Sequence, residues 1–257
     1  MNLRRFPATR EISIGVLIYL YLPVLVLVVY SFNDNRTATL WTEASLRWYG
    51  RILVNPSIQA ATWNSLVLAS AAATGATLIA LLAALSTKVP FRGLAAIEAM
   101  INAPLILPEV VVAVATLIFF VAIGIELGLG AMILAHLAFC TPFAYLPIRA
   151  RLEGMNRSFE EAAQDLYADR FATFRRVTLP LLWPGILAGF TLAFVTSLDD
   201  FLTSFFLSGP GSTTLPVYIF SAIRSGISPE INAISTVMLV ISVLLVVLSF
   251  ILGRIRR

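Results

Sequence analysis

Charged residues are scarce in this chain of 257 residues. Asp, Glu, Lys and Arg make up 12% of it, and hydrophobic residues make up 59%. Because soluble domains carry about 25% charged residues, the chain lacks the polar surface that such a domain needs. The composition therefore indicates one integral membrane domain. The net charge of +4 gives no indication of a nucleic-acid partner.

Cysteine and histidine occur once each, as Cys140 and His136. A single cysteine excludes an intramolecular disulfide, and two possible ligands one helical turn apart are too few for a metal site. We interpret both as packing residues and predict no metal and no cofactor. The sequence also contains no P-loop, no HExxH and no nucleophile elbow. We therefore predict that the chain is not an enzyme and that a partner hydrolyses any ATP.

Six long apolar runs are present. Each has the length of about 20 residues that a helix needs to cross the hydrocarbon core, and unbroken runs are typical of helices rather than of barrel strands. The sequence thus predicts an all-α membrane domain over residues 1–257, inserted in the lipid bilayer. The predicted spans are 12–32, 65–85, 100–123, 127–148, 181–207 and 231–252.

The positive charges are distributed unequally between the two ends of these spans. If the N-terminus is cytoplasmic, 14 of the 18 Lys and Arg residues lie inside and only Arg36, Arg47, Arg51 and Arg224 lie outside. The excess of positive charge inside predicts that both termini are cytoplasmic. The inner set is Arg4, Arg5, Arg10, Lys88, Arg92, Arg149, Arg151, Arg157, Arg170, Arg175, Arg176, Arg254, Arg256 and Arg257.

The sequence also predicts a short helix between the first two spans and an irregularity within the third span. Leu46, Tyr49 and Leu53 fall at helical spacing, which predicts a short interfacial helix in the outer loop 33–63. Pro104 and Pro108 each remove a backbone hydrogen bond, so we expect a kink or an unwound turn in the third span.

A polar segment at residues 149–180 separates two apolar runs. Ser158 with Glu161 has the spacing of a capping box, and Asp169 can cap a second short helix. Phe171, Phe174 and Val177 share one face of that second helix. Since this face has no core of its own to enter, we expect the segment to dock on a partner protein in the cytoplasm.

The same segment resembles the EAA loop of type I ATP-binding-cassette (ABC) importer permeases. In that pattern EAA is followed by three residues, Gly, nine residues, Ile, one residue and Leu-Pro. The matching positions are Glu161, Ala162, Ala163, Val177, Leu179 and Pro180, with Tyr167 in place of the Gly. A left-handed Tyr167 costs about 1 kcal/mol; otherwise the turn differs locally. The resemblance implies that these residues couple the chain to an ATPase.

The resemblance to that class extends over about residues 60–250, and within the class the chain resembles the spermidine/putrescine permease subunits. The similarity is carried by LRWY at 46–49, PLILPE at 104–109, SLDDF at 197–201, SGPGSTTLP at 208–216 and SPEINA at 228–233. It implies an inner-membrane assembly containing a second permease subunit, a paralogue, with two ATP-binding subunits and a periplasmic polyamine-binding protein. That protein is expected to dock near 33–63 and 208–228.

Three acidic residues occur within the spans. Carboxylates at such depth are costly and are functional by default, so Glu109 is a candidate pore anion for a cationic solute; alternatively it stays neutral or caps the turn at Pro108. Asp199 and Asp200 point about 100° apart on a helix. We expect one of them to line the path and the other to hold a neighbouring donor, unless both are solvated at the rim. Ser197 shares the face of Asp200.

One aromatic residue is a further candidate for the substrate path. Trp48 offers a cation–π surface to an amine, or it is an ordinary interfacial anchor. The sequence thus predicts a permease subunit of an ATP-driven polyamine importer. The alternatives are a permease for an aminophosphonate, an opine or a metal ion, a self-powered secondary transporter, and a membrane scaffold.

Overall fold

The computed structural model describes residues 9–35, 40–89, 91–226 and 229–255, and these residues are mostly helical. Arg4, Arg5, Arg36, Arg256 and Arg257, which enter the charge argument above, lie outside these ranges. The chain forms two compact units, one of Met1–Gln59 with Ile219–Ile241 and one of Ala60–Tyr218 with Ser242–Arg257. The helices, in chain order, are α1 Thr9–Tyr30, α2 Arg47–Val54, α3 Pro56–Ser86, α4 Leu94–Ile106, α5 Glu109–Ala122, α6 Leu129–Glu153, α7 Ser158–Asp165, α8 Arg170–Thr173, α9 Leu179–Asp199, α10 Leu202–Leu207, α11 Leu215–Ser225 and α12 Pro229–Ile255.

Five stretches of helix among the described residues are long and apolar enough to cross a membrane. They are Arg10–Tyr30, Pro56–Ser86, Leu129–Glu153, Arg170–Asp199 and Pro229–Ile251. The helices α4 and α5 together form a sixth candidate span, bent by 108°. The predicted all-α membrane fold is confirmed, and the count reaches six when this bent pair is taken as one span.

The bend in the third span has a clear cause at Pro108. Proline has no amide hydrogen to donate and restricts the residue before it to an extended conformation. Accordingly Leu107 has φ −76° and ψ 141°, and Pro108 has ψ 128°. The helix α4 therefore ends at Ile106 and α5 begins at Glu109. The kink expected from the prolines is present, as a full break between two helices.

The fifth span differs from the prediction at both ends. The sequence suggested one helix over 181–207, but α9 ends at Asp199 and a separate α10 begins at Leu202. Asp200 is extended, with ψ 123°, because its side chain binds the amides that open α10. At the other end, helical structure continues back to Arg170 through a π-helical turn at Phe174–Thr178.

The core of the larger unit consists of small side chains between long helices. In α3, Ala76, Ala80 and Ala84 recur every fourth residue and are fully buried. They pack in one cluster with α6 and α9, which contribute Cys140, Ala144, Ile148 and Leu182. Without a hydrophobic driving force inside lipid, small residues allow the close backbone approach that holds helices together.

The smaller unit contains the loop between α1 and α3, which is held by Asn33. Its buried side chain donates to the carbonyl of Leu40 at 2.7 Å and accepts from the amide of Thr42 at 3.2 Å. The predicted short helix in this loop is confirmed as α2. The loop is shorter than predicted, however, because α3 begins at Pro56, where Asn55 accepts a hydrogen bond from the amide of Ser57 at 3.0 Å.

Gly189 provides a test of the contact between α6 and α9. A Cβ atom added there would lie 2.6 Å from the backbone carbonyl oxygen of Ala144. Since backbone cannot move aside as a flexible side chain does, Gly189→Ala is expected to destabilise the subunit by about 1–3 kcal/mol. The measurement is the thermal unfolding midpoint of the purified protein in detergent.

Gly130 is the matched control for that substitution. It lies in α6 with no atom within 4 Å of an added Cβ, so Gly130→Ala should leave the midpoint unchanged or raise it slightly. Equal midpoints for the two variants would contradict the close packing at Gly189.

Candidate functional site

A cavity of about 500 Å³ lies where the third and fifth spans are broken. Its walls combine three carboxyl groups and two threonine hydroxyls with aromatic and aliphatic side chains. Such a mixture suits an elongated solute that is charged at some atoms and apolar between them. The lining residues are Pro104, Leu105, Leu107, Glu109, Val112, Phe139, Phe143, Thr196, Asp199, Asp200 and Thr203.

Glu109 reaches this cavity because of the break at Pro108. It is the first residue of α5 and is exposed, and a negative charge is favoured at the positive end of a helix dipole. Its carboxyl group lies near that of Asp200 at the wall of the same cavity. Two adjacent carboxylates repel each other unless a proton or a cation lies between them. The pair therefore forms a site that favours positive charge.

The two adjacent aspartates have different surroundings. Asp200 is 5% exposed and accepts hydrogen bonds from the amide of Ser204 at 2.9 Å and from that of Thr203 at 3.4 Å. It thereby satisfies two amides in the first turn of α10, from the position just before the N-cap residue Phe201. Asp199 is exposed, and within the described ranges its carboxylate accepts from the Ser242 hydroxyl, 3.4 Å from each oxygen. Asp199 thus retains acceptor capacity towards the cavity, whereas Asp200 uses most of its own within the protein.

Sequence reasoning missed the role of His136, which was interpreted as a packing residue. The ring is completely buried. Its Nδ1 lies 2.8 Å from the Ser197 hydroxyl, and its Nε2 lies 3.2 Å from Oδ2 of Asp200 and 3.4 Å from the Ser204 hydroxyl. The residues 136, 197, 200 and 204 thus form one buried polar network beside the cavity. The sequence gives no signal for it, since α6 and α9 are distant in the chain.

Ser197 and Trp48, two further predicted site residues, are both buried. Ser197 is 2% exposed and bonds to His136 rather than facing the cavity. Trp48, in the smaller unit, is 2% exposed, and its indole donates to the carbonyl of Asn33 at 2.7 Å. The guanidinium groups of Arg47 and Arg51 lie 5.3 and 5.2 Å from its ring centroid. Trp48 is therefore held inside the loop, with its ring beside two guanidinium groups of the chain itself.

No cluster of three or more His, Cys, Asp or Glu side chains in the described ranges is arranged to hold a metal ion. The sulfur of Cys140 is buried in the apolar cluster of α3, α6 and α9.

The polar segment 149–180 folds as two short helices joined by a left-handed turn. Tyr167 has φ 61° and is the one described non-glycine residue with positive φ. It therefore adopts the conformation that glycine would favour at this position. Asp169 caps α8 as predicted, by accepting from the amide of Ala172 at 2.6 Å. The capping box predicted at Ser158 is wrong, because Arg157 occupies the cap position and Asn156 accepts from the Ser158 amide.

Glu160, which the sequence did not single out, braces this segment. Its carboxylate accepts from Lys88 at 2.5 Å and from the Thr178 hydroxyl at 2.8 Å. Partial burial alone would raise the pKa of Glu160, but these hydrogen bonds and the positive charge of Lys88 outweigh it, so the pKa lies below its ordinary value. Glu160 thus stays ionised at neutral and mildly acidic pH and links α7 to the end of α3.

Arg149 makes a second connection at the same end of the spans. Its guanidinium group donates to the carbonyl and hydroxyl oxygens of Thr87 at 2.6 and 2.9 Å. It also pairs with Glu153 at 2.6 Å and with Glu98 of α4 at 3.5 Å. Arg149 therefore ties α6 to α4, the helix that leads to the break at Pro108.

The residues that match the EAA pattern are not equally exposed. Glu161, Ala162, Tyr167 and Pro180 are exposed, and Tyr167 reaches 99%. Three other matching residues are half-buried and face the rest of the protein: Ala163, Val177 and Leu179. The apolar face predicted for the second helix is divided in the same way, since Phe171 is 70% exposed while Phe174 and Val177 are half-buried.

Comparison with known proteins agrees with this arrangement. Residues 75–256 match the family described as "Binding-protein-dependent transport system inner membrane component". The putrescine transport system permease protein PotI of Escherichia coli (strain K12) is 42% identical over 229 residues, covering 86% of this chain and 82% of that protein. The spermidine/putrescine transport system permease protein PotC of Haemophilus influenzae is 38% identical over 251 residues, covering 97% and 98%.

Solved structures show the same fold at low sequence identity. A chain of a bacterial ABC transporter that imports the acidic polysaccharide alginate aligns with a TM-score of 0.70 at 18% identity, over 95% of this chain and 92% of that chain. A chain of the MetNI methionine ABC transporter aligns with a TM-score of 0.60 at 22% identity, over 77% and 93%. The chain therefore belongs to the family of inner membrane components of binding-protein-dependent transport systems, with the fold of the type I ABC importer permeases.

Proposed function

We propose that this chain is a permease subunit of an ATP-driven importer that carries polyamines such as putrescine and spermidine across the inner membrane. The observation that carries the proposal is the cavity in which Glu109, Asp199 and Asp200 meet within apolar spans. Its support is the similarity to PotI and PotC, whose names state putrescine and spermidine/putrescine transport.

The chemistry of the cavity suits a flexible polyamine. Removing an ammonium group from water without a partner costs several kcal/mol or more, and a carboxylate in a low-dielectric site offsets that cost. Glu109 and Asp199 supply such carboxylates at the wall of the cavity. Phe139 and Phe143, whose ring centroids are 5.7 Å apart, offer apolar surface to methylene groups and π faces to an ammonium. Asp200 adds its charge beside Glu109, Ser197 holds His136 behind the wall, and Trp48 stabilises the outer loop.

The driving force comes from other subunits in this proposal. The assembly contains two ATP-binding subunits, and one of them docks on the segment 149–180 in the cytoplasm, with both termini of the chain on that side. Glu161, Ala162 and Tyr167 are exposed there and are proposed to contact an ATPase directly. Ala163, Val177, Leu179 and Pro180 hold these residues in position. The second permease is a paralogue, and a periplasmic polyamine-binding protein delivers the solute at 33–63 and 208–228.

Substitutions of the cavity carboxyls test the proposed path. Asp199→Asn and Glu109→Gln each remove a negative charge while keeping the shape of the side chain. Since a hydrogen bond to a charged group contributes about 1.5–3 kcal/mol, each variant should lower the initial rate of putrescine uptake by about tenfold or more. The measurement is uptake of labelled putrescine into liposomes that contain the whole complex and the binding protein.

The control is Glu11→Gln, at an exposed acidic residue in the first turn of α1, which should transport at the unaltered rate. Unaltered uptake by both cavity variants would refute the proposed path.

Competition experiments identify the solute. Unlabelled spermidine should reduce the uptake of labelled putrescine, whereas inhibition by an opine or an aminophosphonate alone would favour a different substrate. Uptake without ATP would indicate a secondary transporter.

A bulky residue at the exposed EAA position tests the proposed coupling. Glu161→Trp adds volume where an ATPase is proposed to dock, but the site is exposed and the fold should tolerate it. We expect ATP hydrolysis to continue while the solute imported per ATP falls severalfold or more. The measurement pairs phosphate release with uptake in the same liposomes.

Glu11→Trp is the matched control, because it places the same bulk at an exposed acid outside the segment 149–180. It should preserve the ratio of transport to hydrolysis. A normal ratio in Glu161→Trp would show that this face is not the docking surface.

A further inference from the structure

The carboxylate of Asp200 lies in the corner between α9 and α10, where it accepts hydrogen bonds from the amides of Thr203 and Ser204 in the opening turn of α10. Nε2 of His136 lies 3.2 Å from Oδ2 of this carboxylate and 3.4 Å from the Ser204 hydroxyl. Because a carboxylate only accepts hydrogen bonds, Nε2 contacts it favourably only when it carries a hydrogen. The side chains of His136 and Asp200 are both 0% exposed, so water does not compete for these bonds.

The orientation of the imidazole ring is itself fixed from the opposite side. Its Nδ1 lies 2.8 Å from the Ser197 hydroxyl, two residues before the helix break. The ring of Phe139, a cavity residue on α6, meets the imidazole edge to face at 5.9 Å between centroids. The histidine therefore cannot turn without losing both contacts, and Nε2 stays beside Asp200 and Ser204.

We propose that His136 is a positioning residue for transport. Its Nε2–H holds the Asp200 carboxylate in the α9–α10 corner and sets its distance from Glu109 at the cavity wall. In that arrangement Glu109 and Asp199 receive the ammonium groups. The negative charge of Asp200 beside Glu109 strengthens the attraction of this site for a cation. This inference rests on the proposed transport function where it is tested by uptake, and on the structure alone where it is tested by hydrogen exchange.

A purely space-filling histidine would behave differently from a positioning one. The amide nitrogen of glutamine can take the place of Nε2, whereas that of the shorter asparagine can take only the place of Nδ1. His136→Gln therefore keeps the donor to Asp200, and His136→Asn keeps only the contact with Ser197. The two variants differ by one methylene, so they form a matched pair.

The first experiment measures initial putrescine uptake by the reconstituted complex with each variant. His136→Gln should retain most of the rate, and His136→Asn should lose about tenfold, as expected for a lost hydrogen bond to a charged group. In an Asp200→Asn background no carboxylate remains to be positioned. There the Gln and Asn variants should transport equally, because residues that act through one another are not additive.

The second experiment requires no substrate. Hydrogen exchange at the amides of Thr203 and Ser204, measured on the assembled complex, should accelerate in His136→Asn but not in His136→Gln, since a displaced Asp200 no longer caps α10. Equal exchange in the two variants would overturn the inference even if polyamine transport is confirmed. The expected exchange difference in a complex that imports no polyamine would support the positioning role and refute the proposed function alone. Equal losses of uptake in both variants, or a difference that persists without the Asp200 carboxylate, would also overturn it.

Discussion

Backbone amide and carbonyl groups inside a membrane must find partners within the protein, because lipid offers none. This constraint governs the two helix breaks that create the cavity. At the first break, Pro108 has no amide hydrogen to satisfy. At the second, the amides of Thr203 and Ser204 would be free, and the carboxylate of Asp200 accepts both. Irregular backbone is tolerated at membrane depth where it lines such a cavity.

The same constraint explains why neighbouring acidic residues have different roles. Asp200 satisfies the backbone and is enclosed by His136, so its charge is fixed in place. Asp199 has no amide to cap and stays exposed beside the cavity. Glu109 lies at the start of α5, where the helix dipole favours its charge. One carboxylate thus stabilises the break, and the other two are exposed at the wall of the cavity.

Sequence reasoning recovered the features that local chemistry determines. Proline predicted the break at Pro108, the spacing of side chains predicted α2, and Asp169 was recognised as a cap. It missed the start of α3, although Asn55 before Pro56 is a local signal of a helix start. Asp200 is a similar case, since an acid three and four residues before Thr203 and Ser204 can cap a new helix even within an apolar run.

Other features could not be found in the sequence because their partners are distant in the chain. The hydrogen bonds of His136 join α6 to the corner at Asp200, and a lone histidine in an apolar helix has no pattern that reveals them. Glu160 is similar, since its partner Lys88 is 72 residues away. In the sequence, the EAA pattern marks Glu161, and no pattern marks its neighbour Glu160. Only the fold turns one inward to Lys88 and leaves the other exposed.

These distant contacts also join the two functional parts of the larger unit. Glu160 holds α7 to Lys88 at the end of α3, and the neighbouring Thr87 binds Arg149. Arg149 pairs in turn with Glu98 on α4, which ends at the break beside Glu109. A displacement of α7 would therefore be transmitted to α4 through these ion pairs and hydrogen bonds, and not only through the connecting chain. Because packed helices move as rigid bodies, the break at Pro108 is where such a displacement would change the shape of the cavity.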